Sequence, residues 1–226
     1  MTDLASVTPK VGWGVVHLFC RPTPLADGEA AAAAVKECRA AGHQVVTAAI
    51  LGHKADLCVL GIGPDFRVLR RLQTGLQQAG LEVVDSYVSM TELSEYAAGL
   101  PKEMAEARLH PVLPPPGKPA FCFYPMSKAR EGHANWFRLP FDKRKELMAE
   151  HGVSGRKFAG RIVQLVTGST GVDDYEWGVT LFGEYVDDLK EVVYTMRYDE
   201  ASAIYGLFGT FYAGYVIDEN ELVASA

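Results

Sequence analysis

A chain of 226 residues, 48% hydrophobic and 22% charged, is long enough to bury a real core and has the composition of a globular protein. Its net charge of −6 supplies no basic face for nucleic acid or for an anionic membrane surface. No apolar run reaches the roughly 18 residues of a bilayer span, and the opening Met-Thr-Asp-Leu-Ala-Ser lacks the charged-then-apolar order of a secretion signal. Cys20, Cys38, Cys58 and Cys122 are scattered without Cys-x-x-Cys spacing. That favours reduced, buried thiols in the cytoplasm over a disulfide framework or a zinc site.

In chain order, residues 11–20 alternate and are rich in Val, which predicts a strand. The Ala-rich stretch 26–41 predicts a helix stopped by Gly42. Two β-rich runs, 44–51 and 55–62, are broken at Gly52-His53-Lys54. Pro64 opens a second helix, with Phe66, Leu69, Leu72 and Leu76 at helical spacing until Gly80. Residues 81–90 alternate again. The order β-α-β-β-α-β is that of the ferredoxin-like unit.

Residues 100–118 hold Pro101, Pro111 and Pro114 to Pro116 with Gly117, which predicts an extended connector. The same order then returns: strand 119–124, helix 140–150, strands 161–167 and 176–182, helix 187–196 and strand 208–216. The expected class is α+β. Two ferredoxin-like (βαββαβ) halves, 1–99 and 119–226, would flank the connector and close a barrel-like core with helices outside. The unusual residues fall in the second half.

Four groups, three of them there and one on the connector, carry candidate chemistry. His151 shares a helix face with Leu147, and Gly152 is read as turning the chain just after it. A histidine so placed serves either as a dipole partner or as a ligand. No second histidine or cysteine stands at metal-ligand spacing, but one imidazole suffices where a macrocycle supplies the other ligands. Tyr124 precedes Pro125, which cannot donate to a ladder. The tyrosine is therefore either a core aromatic or a side chain at a sheet end, where sites are common. Lys128, Arg130, Arg156 and Arg161 form either a solvated face or a carboxylate-binding rim. His110, on the connector, is either a surface residue or part of a pocket cover. Walker, Rossmann and nucleophile-elbow patterns are absent.

Several blocks in one order extend the reading. Cys122-Phe-Tyr-Pro-Met-Ser-Lys128, Asn135-Trp136, His151-Gly-x-x-Gly-Arg156, Thr167-Gly-Ser-Thr-Gly171, Asp173-Asp-Tyr-Glu-Trp-Gly178 and Met196-Arg-Tyr-Asp-Glu-Ala-Ser-Ala203 resemble the chlorite dismutase-like superfamily. Within it they most resemble the coproheme decarboxylases of bacterial haem synthesis. The resemblance is dense over 105–215. It is looser before, where Trp13, Gly52-His-Lys-Ala-Asp56 and Thr91-Glu-Leu-Ser-Glu-Tyr96 carry it.

The resemblance implies a homopentamer that binds iron-coproporphyrin III. Hydrogen peroxide would drive oxidation of two propionates to vinyls, leaving haem b. It further implies His151 as the iron ligand, Tyr124 as the radical-forming tyrosine and Lys128 beside the reacting propionate. Met126 and Trp136 are expected at the porphyrin edge, Arg108 and Arg156 on propionates, Gln164 as the distal amide, Ser202 at the cofactor and His110 as a distal base. A transient contact with coproporphyrin ferrochelatase is the further expected partner. The rival activities are chlorite dismutation, which Gln164 in place of a distal arginine disfavours, and haem carriage without turnover.

Overall fold

The computed structural model describes residues 7–97 and 99–224; the opening residues 1–6 read above for a secretion signal lie outside them. The first half contains β1 (Gly14–Pro22), α1 (Gly28–Ala40), β2 (Gln44–Ile50), β3 (Leu57–Gly63), α2 (Phe66–Gln78) and β4 (Leu81–Thr91), followed by α3 (Lys102–Leu109). The second half contains β5 (Ala120–Lys128), the short β6 (Arg130–Glu131) and β7 (Ala134–Asn135), and α4 (Phe141–Arg156). It continues with β8 (Ile162–Gly168), β9 (Trp177–Gly183), α5 (Val186–Met196), α6 (Glu200–Ala203), β10 (Gly206–Phe208) and β11 (Tyr212–Ile217). Among the described residues no helix is long and apolar enough to cross a membrane.

Local chemistry explains the helix starts. Asp27 accepts hydrogen bonds from the N–H groups of Glu29 and Ala30 at 2.9 and 3.1 Å, and Asp65 accepts one from Arg67 at 2.9 Å. On α2, Val68, Leu69, Leu72 and Leu76 form the buried stripe.

All the long strands join one antiparallel sheet in the order β10-β5-β11-β2-β3-β1-β4-β8-β9, and a further β5–β9 pairing closes it into a barrel. The first half runs β4-β1-β3-β2 and the second β8-β9-β5-β11, which is the same relative order. Two seams join them. At one, Met90 and Thr91 of β4 pair with Gly168 and Thr167 of β8. At the other, Gly214 to Ile217 of β11 pair with Ile50 to Thr47 of β2. Gly214 is required there, because a Cβ would overlap the Ala49 carbonyl.

Inward side chains, including Phe19, Leu60, Ile62, Phe121, Phe123 and Phe182, fill the barrel. Outside it, α1 and α2 cover the first half, while Cys122, Tyr124, Val179 and Leu181 of the second pack against Leu189 and Val192 of α5.

Four local expectations are corrected. The strand read as ending at Tyr124 continues through Pro125 to Lys128, paired with β9 as far as Met126. On its other edge β5 passes from β11, last paired at Phe123, to β10, first paired at Met126. The proline sits in that gap, where no ladder partner awaits its missing N–H. The connector is not wholly extended: Lys102–Leu109 is helical, since its residues are helix formers and its prolines stand outside both ends. The helix carrying His151 runs on to Arg156, so Gly152 does not turn the chain. Gly155 lies on the side of α4 that faces Met196 of α5, whose methyl stands 3.7 Å from where a Cβ would be, an ordinary contact. Leu147 packs against Trp136, Ala201 and Tyr205. Finally, the last strand is two strands, β10 and β11, with a link between them.

His17, assigned above no role, lies fully buried inside the barrel. Its Nε2 is 2.8 Å from the Thr180 hydroxyl, Nδ1 has no partner among the described residues, and its ring lies 4.2 Å from that of Phe123. Burial pushes its pKa from 6.5 down to about 3. Between those values the unfolded chain binds a proton that the native barrel excludes, so stability falls on acidification. This group alone contributes a slope of about 1.4 kcal/mol per pH unit. His17→Asn should flatten the plot of urea-unfolding free energy against pH between 6 and 4 by about one proton. An unchanged slope would mean that another group limits acid stability.

Candidate active site

Outside the barrel, on the second half, β5, α4 and α6 converge. Alternation along β5 turns Cys122, Tyr124 and Met126 toward the apolar layer shared with α5. Tyr124 is 7% exposed, stacks on Phe211 with ring centroids 4.4 Å apart and lies 5.8 Å from Phe208. The Arg197 guanidinium stands 4.8 Å over the Phe208 ring. Burial raises the Tyr124 pKa well above the usual phenol value, against the opposing pull of Arg197, so the O–H is retained across the neutral range.

Lys128 ends β5 and is buried. Its backbone N–H donates to Glu176 at 2.8 Å, its ammonium donates to the Ala201 carbonyl at 2.5 Å, and the same ammonium lies 4.7 Å over the Trp136 ring. Burial pushes its pKa down to about 8, while Glu176 and Asp199 pull the other way. Trp136 is itself buried, edge-on to Tyr205 at 5.3 Å.

His151 lies more than one turn before the end of α4. Its Nδ1 is 3.1 Å from the Asp199 carboxylate, whose other oxygen accepts the Ser154 hydroxyl at 2.6 Å; Ser202 Oγ is 3.5 Å from Nδ1. Burial and then the nearby Lys128 charge lower the His151 pKa, opposed by Asp199. A neutral ring that donates from Nδ1 to a carboxylate keeps its lone pair on Nε2, the arrangement that prepares an imidazole for a metal. Among the described residues no group of three or more His, Cys, Asp or Glu side chains could hold a metal ion by itself. The donor set is therefore one oriented imidazole. It fits a metal whose other ligands belong to a macrocycle.

Lys128, His151 and Ser202 thus gather near the Asp199 carboxylate with Trp136 against Lys128, and Tyr124 and Met126 lie in the apolar layer against α5. Other expected site residues stand apart. Arg108 is exposed on α3, and His110 pairs with Glu106 at 2.9 Å and lies against Trp13. Arg156 is exposed at the end of α4, and Gln164 is exposed on β8 opposite Leu181. No hydrogen bond among the described residues joins these four to His151 or Lys128. A surface hollow of about 390 Å³ along α5, lined by Asp187, Lys190, Glu191 and Tyr194, shares no residue with the cluster.

Sequence reasoning missed Asp199, Ser154, Glu176 and Arg197. A signal for Ser154 existed: His151 and Ser154 stand three apart on one helix and can share an acceptor. For Asp199 and Arg197 it was the Met196-Arg-Tyr-Asp199 run, which held the acceptor and the cation without assigned roles.

The fold and the carboxylate-held histidine define a class, and comparison gives it a family. The family model for chlorite dismutase matches residues 26–217, and the chain belongs to that family. It is 36% identical to a novel heme-binding protein from Thermus thermophilus, with a TM-score of 0.83 over 97% of this chain and 96% of that one. It also shares its fold with chlorite dismutase from Candidatus Nitrospira defluvii in complex with imidazole, at 18% identity and a TM-score of 0.75 over 96% of this chain and 95% of that one.

The two charges flanking His151 act with opposite signs. In an NMR titration of the protein without porphyrin, Lys128→Met should raise the His151 pKa and Asp199→Asn should lower it further. Shifts of the same sign in both variants would contradict this electrostatic arrangement.

Proposed function

We propose that this chain binds iron-coproporphyrin III through His151 and, with hydrogen peroxide, decarboxylates two of its propionates to vinyls, giving haem b. One observation carries the reading: a buried phenol, a buried lysine and a carboxylate-oriented imidazole lie in adjoining layers. Family membership and the haem-binding relative support a porphyrin ligand.

In this reading each turnover takes one hydrogen from a propionate side chain and releases its carboxylate as carbon dioxide. The hydrogen atom supplies one electron and one proton, the departing carboxylate the second electron, and solvent one further proton, so that one peroxide is reduced to two waters. The iron porphyrin, when bound, supplies the oxidising power drawn from peroxide.

The protein supplies position and charge. Asp199 holds Nδ1 so that Nε2 of His151 can bind iron. Lys128, charged at neutral pH, would leave the Ala201 carbonyl for a propionate carboxylate and bring that chain to Tyr124. Tyr124, its O–H retained at neutral pH, would yield its hydrogen atom to the peroxide-derived oxidant and recover one from the propionate β-carbon, while Phe208 and Phe211 wall it from water. Arg108 and Arg156 would reach further propionates, and Met126 and Ser202 would line the porphyrin. Gln164 and His110 would face the peroxide side, with Gln164 as an amide without the charge that holds an anionic oxidant such as chlorite. We place the protein in the cytoplasm as a homopentamer, in transient contact with coproporphyrin ferrochelatase.

The second reading is haem binding without turnover, favoured by the description of the Thermus thermophilus relative. Tyr124→Phe separates the two. It keeps the ring packing against Phe211 and loses the O–H. Spectrophotometric titration should show ferric coproporphyrin binding within about twofold of the unmodified protein, while mass spectrometry after peroxide should show no decarboxylation above background. Full turnover by this variant would refute the role of the phenol.

A further inference from the structure

The loop between β2 and β3 carries Gly52-His53-Lys54-Ala55-Asp56, which the proposed chemistry does not use. The loop is nonetheless tightly built. Ile50 N–H donates to the Asp56 carbonyl at 2.7 Å, Asp56 N–H to Cys20 at 3.0 Å and Leu51 N–H to Ala213 at 2.8 Å. The Arg21 guanidinium reaches the carbonyls of His53 and Lys54. Ala55 is fully buried, and Gly52 adopts φ +93°, which glycine enters without strain. Such a loop holds the exposed side chain of Lys54 in one direction.

That direction is across the seam between the halves. The Lys54 ammonium donates to the backbone carbonyl of Phe211 at 2.6 Å. Phe211 lies in the short link between β10 and β11, whose other end is tied by Gly209 N–H to the Pro125 carbonyl at 2.8 Å. Among the described residues, Lys54 is the one hydrogen-bond donor to that carbonyl. The Phe211 ring in turn stacks on Tyr124 at 4.4 Å and an interplanar angle of 21°.

We propose that Lys54 is a positioning residue for Tyr124: by fixing the Phe211 backbone it sets the ring plane against which the phenol rests. Lys54 touches neither substrate nor cofactor in this scheme. A charge-assisted bond is stronger than a neutral one, and a link of three residues has few other restraints. Reactions that depend on the approach of one O–H are sensitive to displacements well below the size of an atom. The inference rests on the reading of Tyr124 as the group that yields hydrogen, and its test separates the two.

The test uses protein labelled with 3-fluorotyrosine. The Tyr124 signal in the ¹⁹F spectrum is the one absent from Tyr124→Phe. Lys54→Met should shift or broaden that signal, leave those of the exposed Tyr194 and Tyr198 in place, and barely alter the thermal midpoint. Lys54→Arg, which keeps a donor, should restore it. With ferric coproporphyrin and peroxide, Lys54→Met should lower kcat about tenfold at unchanged porphyrin affinity. A Tyr124 signal unmoved in Lys54→Met overturns the proposal, as does an unchanged kcat in active protein. If the signal responds as described but the unmodified protein never decarboxylates, Lys54 still positions Tyr124, and the reading of the phenol as the reacting group is what falls.

Discussion

The Asp199 carboxylate is the point on which the site depends. It is 4% exposed, so each of its oxygens must be satisfied inside the protein, and they are taken by Ser154 and by Nδ1 of His151. That pair of hydrogen bonds to one helix face fixes the rotation of α4 relative to α6. It also settles which nitrogen of His151 carries the proton. The same charge acts on Lys128, opposing the burial that would otherwise neutralise it further. One buried anion thus orients the imidazole and helps keep the neighbouring lysine charged.

The barrel gives that anion its setting. Because β5 pairs with β9 on one edge and is shared between β11 and β10 on the other, its last residues project beyond the closed core. The switch of partners at Pro125 separates Tyr124, packed under α5, from Lys128, packed under α6 and Trp136. The first half contributes by closure. Its seams hold β8 and β11 in register, and its loops reach across at Lys54, to Phe211, and at Tyr96, to Arg144.

Much of this was legible in the sequence for a plain reason. Strands with one face in a filled barrel and one under helices must alternate or run apolar, and helices laid on a sheet must show a stripe, as Val68 to Leu76 do. What could not be read depends on partners distant in sequence. Pro125 reads as a strand end unless the partner switch is known. Gly152 reads as a stop unless α4 is known to continue to Arg156. Tyr124, Lys128, Trp136 and His151 stood out by type and by resemblance, and the fold brings them into neighbouring layers. Asp199 lies 48 residues from His151, and no local pattern ties the two. Arg108, Arg156, Gln164 and His110 are surface or connector positions. Among the described residues no hydrogen bond or ion pair joins their side chains to one another.

The most direct test follows the porphyrin itself. Purified protein is loaded with ferric coproporphyrin III, titrated with hydrogen peroxide, and the porphyrin is read by mass spectrometry after each addition. The account predicts two successive losses of carbon dioxide ending at haem b. Tight binding with no loss of carbon dioxide would contradict it and leave a haem-binding protein without this chemistry.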